Sequence, residues 1–296
     1  MHLKTPSSSI KLNGKEKICI HAPLHLGDSV MSLPFLKNLR SYYPKIKITL
    51  IAKKKLVALW QRQPYTDEIR TCASTDEELS RLSRWLKRNC FDLSFLLATG
   101  EDVAQAHWEA GIPTRIGFDF WGRGQFLTHY IPTTGSPTDP KLTRKHMVQN
   151  YLDLLDKISI KPKFCRPRIF QIKNRKRAQD KPLAIGIAPG ASFGPAKQWP
   201  AESFLELCLR LCKIHERVIL LGSREDLVQS RSVFSHVTSQ QINNLIGCTN
   251  IEELIEWISR CKIIIANDSG ISHLANALGV PTVTLFGSSS PAWTRP

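Results

Sequence analysis

Three short stretches of this 296-residue chain combine residue types that bind phosphate or move protons. The first is IIIANDSGISH, residues 263–273. Apolar, β-preferring positions run into a short polar turn and then into an amphipathic segment that ends at Gly279, the pattern of a buried strand feeding a helix. A helix start presents unpaired N–H groups and the positive end of the dipole, which suits an anion. Asp268 taken alone reads first as a helix cap. Gly270 clears space for a ligand, Ser269 adds a hydroxyl, and His273 falls one turn on from Ser269, on the same face. Together they predict a phosphate-binding strand–turn–helix. The second stretch is PGASFGPAKQWP, residues 189–200, where Gly and Pro fix the backbone, Ser192 offers a hydroxyl and Lys197 a charge. A diphosphate leaving group needs that combination of lysine, hydroxyls and helix starts. The third is Gly27-Asp28, behind the first strand, with one carboxylate. There is no GxGxxG and no GxxxxGK[ST], so neither a dinucleotide fingerprint nor a P-loop is present.

The elements that must position these residues follow from periodicity. Strands are expected over 17–22, 46–52, 92–98 and 115–118, with helices over the segment leading to Tyr42, over 77–88 and over 145–157. A further helix is expected to open at Lys53-Lys54-Lys55. Pro34 predicts a kink or restart in the first helical segment. After a Pro-, Lys- and Arg-rich interval, strands over 183–188, 217–221, 262–266 and 282–286 alternate with helices over 201–214, from Ser223, over 251–259 and over 270–278. That alternation predicts an α/β protein of two parallel-sheet domains facing across a cleft: residues 1–172, a linker at 173–181, and residues 182–296. All three chemical stretches then fall at strand carboxyl ends, where ligands of such sheets bind.

Charge separates the two halves. Residues 1–181 hold 32 Lys+Arg against 16 Asp+Glu, whereas residues 182–296 hold 9 against 9. The whole net charge of +16 therefore belongs to the first half, which is expected to face something acidic: nucleic acid, anionic lipid or an acidic saccharide. Eight cysteines without a CxxC pair read as small core residues in a reducing compartment, not as a disulfide frame or a metal site. No signal-peptide pattern and no apolar run of roughly 20 residues is present, so the chain is expected to be soluble and cytosolic or to rest on a membrane face.

The runs GDSVMSLPFLKNLRSYYPKIKITLIA, PGASFGPAKQWPAESFLEL and NDSGISHLANALGVPTVTLFGSSSP resemble the ADP-heptose:lipopolysaccharide heptosyltransferases, glycosyltransferase family 9, over most of the chain. The resemblance implies a GT-B architecture and inverting transfer without metal or other cofactor. It implies ADP-L-glycero-D-manno-heptose as donor and the inner core of lipopolysaccharide as acceptor. It places the catalytic base on Asp28, and phosphate or donor contacts on Ser192, Lys197, Asp268, Ser269, Gly270 and His273. It also places the ribose-contacting acid on Glu225, with Asp226 an alternative one position on. Arg115, Arg123 and the Lys53–Lys55 cluster are candidates for the acceptor, whose lipid A phosphates and Kdo carboxylates are acidic. Expected partners are the ADP-sugar, that acceptor and the anionic cytoplasmic face of the inner membrane. Nucleic acid is not among them, because no recognition motif accompanies the charge. Family members usually continue past the GSSSP loop, so the C-terminal domain is expected to be incomplete at its end, in a loop. The alternatives are a GT-B enzyme using another nucleotide sugar, such as an epimerase, and an inactive homologue that only binds ADP-sugar.

Overall fold

The apolar run behind the basic N-terminal segment becomes the centre of a sheet. β1 (Lys17–His21) pairs on one side with β2 (Lys47–Ala52) and on the other with β4 (Leu93–Leu96). β3 (Glu68–Thr71), β5 (Thr114–Asp119) and β6 (His129–Pro132) complete the order β3-β2-β1-β4-β5-β6, parallel throughout. Ile18, Ile20, Ile48, Leu50 and Phe95 are fully buried, as covered parallel strands require. The computed structural model describes residues 9–73, 75–120, 122–132, 145–170, 184–191, 194–226 and 240–296.

Local chemistry sets the helix ends. α1 (Leu26–Met31) stops at Ser32 and α2 (Leu33–Tyr42) begins at once with Pro34 in its first turn, the predicted restart. Behind Lys53 a single 3₁₀ turn, Lys54–Leu56, precedes α3 (Val57–Gln61). α4 (Asp76–Asn89) is capped by Thr75, whose hydroxyl accepts from the Glu78 amide. Its first turn carries three acids and its last turn Lys87 and Arg88, both matched to the helix dipole. α5 (Glu101–Glu109) and α6 (Met147–Asp153) follow, the latter continuing as a 3₁₀ segment over Leu154–Ile158. β3, α5 and β6 lie outside the elements expected from periodicity.

The second unit contains β7 (Ala184–Ala188), α7 (Ala201–Lys213), β8 (Val218–Leu220), β9 (Ile242–Asn244) and α8 (Ile251–Ser259). β10 (Cys261–Asn267), α9 (Gly270–Ala277), β11 (Thr282–Leu285) and α10 (Pro291–Thr294) complete it. Its parallel sheet has the order β11-β10-β7-β8-β9. α8 opens with a capping box, Asn250 and Glu253 each accepting from the other's amide. Where a loop is expected at the end of the chain, Pro291–Thr294 forms a short helix. The chain divides between Pro167 and Arg168, ahead of residue 172. The Ile169 amide donates to the Ala277 carbonyl at 3.0 Å, which ties that segment to the second unit. The expected linker, 173–181, lies outside the described residues.

Under the end of β1 is a buried polar chain. His21 Nδ1 lies 3.2 Å from His107 Nε2, and His107 Nδ1 lies 3.9 Å from Cys19 Sγ. Burial, and then the charge of Arg123, pushes the His21 imidazole down to about 3. Burial and then His21 push His107 well below its ordinary value. Both rings are neutral in the folded chain, whereas in the unfolded chain each takes a proton below about pH 6.5. The unfolded state then binds more protons, so stability falls as the pH drops below about 6.5, with a slope approaching 2.7 kcal/mol per pH unit for two protons. Denaturant unfolding between pH 7 and 5 should show this slope, and His107→Gln should roughly halve it. A flat profile would mean that the imidazoles are already charged in the fold.

Candidate active site

In the C-terminal unit, β10 ends in two buried polar residues that anchor everything around them. Asn267 is 0% exposed. Its Nδ2 donates to the Pro189 carbonyl at 2.6 Å, and its Oδ1 accepts from the Trp199 amide at 3.0 Å, so one side chain holds both ends of the 189–199 loop. Asp268, next in sequence, has its carboxylate 3% exposed. Its Oδ2 accepts from Ser289 Oγ at 2.6 Å, from Thr294 Oγ1 at 3.1 Å and from Lys197 Nζ at 3.4 Å. His273 Nε2 stands 3.8 Å from Oδ1. Asp268 is therefore not the cap of α9; Ser269 occupies the N-cap position and Gly270 starts the helix.

These contacts bring Lys197, Asp268, Ser269, Gly270 and His273 together, as the sequence predicts. Lys197 closes a 3₁₀ turn and keeps 23% of its side chain exposed. The Ser269 hydroxyl is buried at the N-cap of α9, set against the Ser272 amide in a capping box and beside the first N–H groups of that helix. A lysine, a cap hydroxyl and a helix start are a donor set for phosphate oxygens. The 287–288 segment runs against the same loop: Ser288 N donates to the Ala196 carbonyl at 3.1 Å, and a Cβ on Gly287 would meet that oxygen at 2.4 Å. Ser192 lies outside the described residues. Glu225 is exposed behind β8, whereas the Asp226 carboxylate accepts from Ser223 N and Oγ at 2.7 and 2.8 Å. Asp226 thus caps its own turn, and Glu225 stands exposed beside it.

In the N-terminal unit, Asp28 is half-buried in the first turn of α1, three residues past the N-cap, which is His25. Its charge reaches Tyr151 on α6, where burial first and Asp28 second push the phenol well above its ordinary range. The two arginines occupy different ground from the acceptor role first given to them. Arg123 is 0% exposed, and its guanidinium donates to the carbonyls of Phe118, Ala98, Gly100 and Leu96. Burial pulls it down to about 10, against the opposing charges of Asp119, Asp102 and Tyr151. It fastens the loop after β4 to the end of β5. Arg115 sits at the entry end of β5, paired in register with Ser94, and donates to the carbonyls of Phe126 and Ile112. Arg123 therefore lies at the strand carboxyl ends with its guanidinium spent on backbone carbonyls, whereas Arg115 lies at the opposite end of β5.

The profile of glycosyltransferase family 9 (heptosyltransferase) matches residues 79–296, a span that holds every donor-side residue described above. The chain belongs to this family. The lipopolysaccharide heptosyltransferase 2 of Salmonella typhimurium is 30% identical to it over 307 residues, 95% of this chain and 85% of that protein. The structure of E. coli ADP-heptose lps heptosyltransferase II matches with a TM-score of 0.79 at 28% identity, covering 95% of this chain and 87% of that one. A family 9 glycosyltransferase from Veillonella parvula matches with a TM-score of 0.80 at 23% identity, over 98% and 86% of the two chains, a likeness of fold. As a family 9 member the chain is a transferase, and its two parallel sheets are those of the GT-B heptosyltransferases.

Sequence reasoning passed over Asn267, Ser289 and Thr294. A polar Asn closing an apolar strand is a usable signal for the first. The two hydroxyls carry none, since their partner is 21 and 26 residues away. Ser289→Ala removes a bond to a buried carboxylate and should lower stability by about 1.5–3 kcal/mol in denaturant unfolding. Thr294→Val, at the longer distance, should cost less. If both variants unfold with the wild type, the Asp268 charge is balanced by other groups.

Proposed function

We propose that this chain transfers heptose from ADP-L-glycero-D-manno-heptose to the inner core of lipopolysaccharide, inverting the anomeric centre and using no metal. The observation that carries the reading is the donor set at the end of β10: Lys197, the buried Ser269 hydroxyl and the start of α9. In the transition state negative charge grows on the departing ADP, and a fixed lysine and helix start meet that charge without having to reorganise. Ser192, from the neighbouring loop, adds a hydroxyl in this reading. Asp268 and His273 belong to the same donor-binding segment, and Glu225 binds the ribose. The Salmonella relative is named for lipopolysaccharide and the E. coli structure for ADP-heptose, which supports the same donor and acceptor here.

Asp28 is the base. An acceptor hydroxyl attacking the anomeric carbon must lose its proton, and one carboxylate is enough to take it. The N-cap of α1 is His25, and Asp28 lies in the first turn of that helix, behind β1. The basic N-terminal unit receives the acidic acceptor, and the enzyme works in the cytoplasm against the inner membrane. Among the described residues no helix is long and apolar enough to cross a membrane.

Two measurements test this. Lys197→Ala should weaken ADP binding by about 1.5–3 kcal/mol in calorimetric titration, the value of a charge-assisted contact; unchanged affinity would return Lys197 to a purely structural role with Asp268. Asp28→Asn keeps the shape but cannot accept a proton. It should fold and bind ADP as the wild type does, while heptose transfer falls about 10²–10⁴-fold, the usual contribution of a general base. Near wild-type transfer by that variant would remove Asp28 from the chemistry.

A further inference from the structure

The edge of a β-sheet offers unpaired backbone groups, which proteins blunt with charge, proline or short strands. Three of the four sheet edges here are blunted in that way. β3 carries Glu68 and Arg70, β6 ends in Pro132, and β9 is three residues long with two exposed asparagines. β11 reads TVTL, four residues without charge or proline, rich in β-branched side chains. No charged residue occurs between His273 and Arg295. The carbonyls of Pro281 and Leu285 accept from Ile264 N and Asp268 N, each at 2.9 Å. Backbone groups alternate sides along a strand, so those of Thr282 and Thr284 point outward along the free edge.

The side chains of the same strand are uncovered. α9 packs across one face of β10 and β11, where Ile264 and Ala266 are fully buried. On the opposite face α7 covers the β7 side, in a cluster that joins Phe204 to Ile187 and has Ile263, Ile265 and Leu285 at its margin. Burial falls off along the sheet from β7, buried throughout, to β11, in which no residue is buried. Val283, in register with Ile265, is 44% exposed. An apolar strip therefore runs beside an open strand edge.

A second copy of the chain is the occupant that fits. An uncharged edge is complementary to itself, and a two-fold axis beside it pairs the strand with its own copy. The excess of +16 belongs to residues 1–181, so two copies repel one another through that half. Residues 182–296, with 9 basic and 9 acidic residues, meet without that repulsion. The same neutrality gives an anionic membrane no hold on this edge.

We propose that β11 pairs antiparallel with β11 of a second copy about a two-fold axis, joining the two five-stranded sheets into one continuous sheet. The backbone groups of Thr282 and Thr284 in each copy bond to those of the other, and the two Val283 side chains meet across the axis. The pairing is independent of the transfer reaction proposed above.

The test is sedimentation equilibrium on the full chain across about two decades of concentration, since association follows mass action. The mass should rise from 33.5 kDa towards twice that value. Val283→Lys sets like charges opposite one another and removes an apolar contact, so it should raise the dissociation constant about tenfold or more. Its melting temperature and ADP affinity should match those of the wild type. In deuterium exchange the Thr282 and Thr284 amides of the wild type should become slower as concentration rises. That measurement needs no variant, so it decides the matter even where Val283→Lys fails to fold. A chain that stays at 33.5 kDa throughout, a dimer that Val283→Lys leaves equally tight, or open-ended growth past two copies overturns the pairing. So does Val283-dependent binding of a monomeric chain to phosphatidylglycerol vesicles, which would make the strip a membrane contact.

Discussion

The Asp268 carboxylate is the point on which the C-terminal unit depends. A charge buried to 3% exposure is tolerated only with its hydrogen bonds satisfied and a counter-charge near. Meeting that condition recruits Lys197 from the loop after β7, Ser289 and Thr294 from the segment after β11, and His273 from α9. Segments distant in sequence are thereby brought to one strand end. Asn267 does the same with neutral bonds for both ends of the 189–199 loop. Seen this way, Asp268 carries out a task larger than capping a helix. It sets the position of Lys197, the cation given to the phosphate in the proposed function.

The N-terminal unit solves its own problem of polar groups with different means. Arg123 lies in the interior as a fastener, its guanidinium spread over four carbonyls of the β4 and β5 ends. That use fits a group with five donors in a rigid fork, and it explains why so buried a cation keeps its proton. The imidazoles of His21 and His107 face the same low-polarity interior and give up theirs. Lys53 to Lys55, in contrast, stand at the sheet edge and line a surface cavity.

How much of this was legible beforehand depends on how local the physics is. Central strands such as β1 and β10 are continuous apolar runs and read directly. β3 (Glu68–Thr71) and β9 (Ile242–Asn244) are edge strands with mixed composition, and β6 closes the other edge; their pairing comes from neighbours, not from periodicity. α5 has only a weak apolar stripe around the buried His107. In the site, the gathering of Lys197, Ser269, Gly270 and His273 at the start of α9 was legible because a strand–turn–helix is a local motif. Arg115 and Arg123 were misplaced on the ligand side because a lone arginine carries no sign of whether it points to solvent or to backbone carbonyls. Asp28 was legible as a residue, yet it lies ahead of the stretch that the family profile matches, so its role rests on its place behind β1.

The division of charge between the halves now has a physical reading. A diphosphate carries more negative charge than a sugar acid, yet residues 182–296, the donor side of the proposed reaction, have 9 basic and 9 acidic residues and no net charge. Recognition there is by short-range, oriented groups: one lysine held by a buried carboxylate, one hydroxyl and a helix start. Such groups act at contact and fade within a turn of helix, so they discriminate position and still release the spent nucleotide. The excess of +16 in residues 1–181 acts at longer range, over about a Debye length in physiological salt, and suits an acceptor drawn in by its overall charge. In the proposed reaction one half fixes a leaving group at a point, and the other gathers an acidic acceptor over a longer range. On that reading the asymmetry of composition follows the asymmetry of the two substrates.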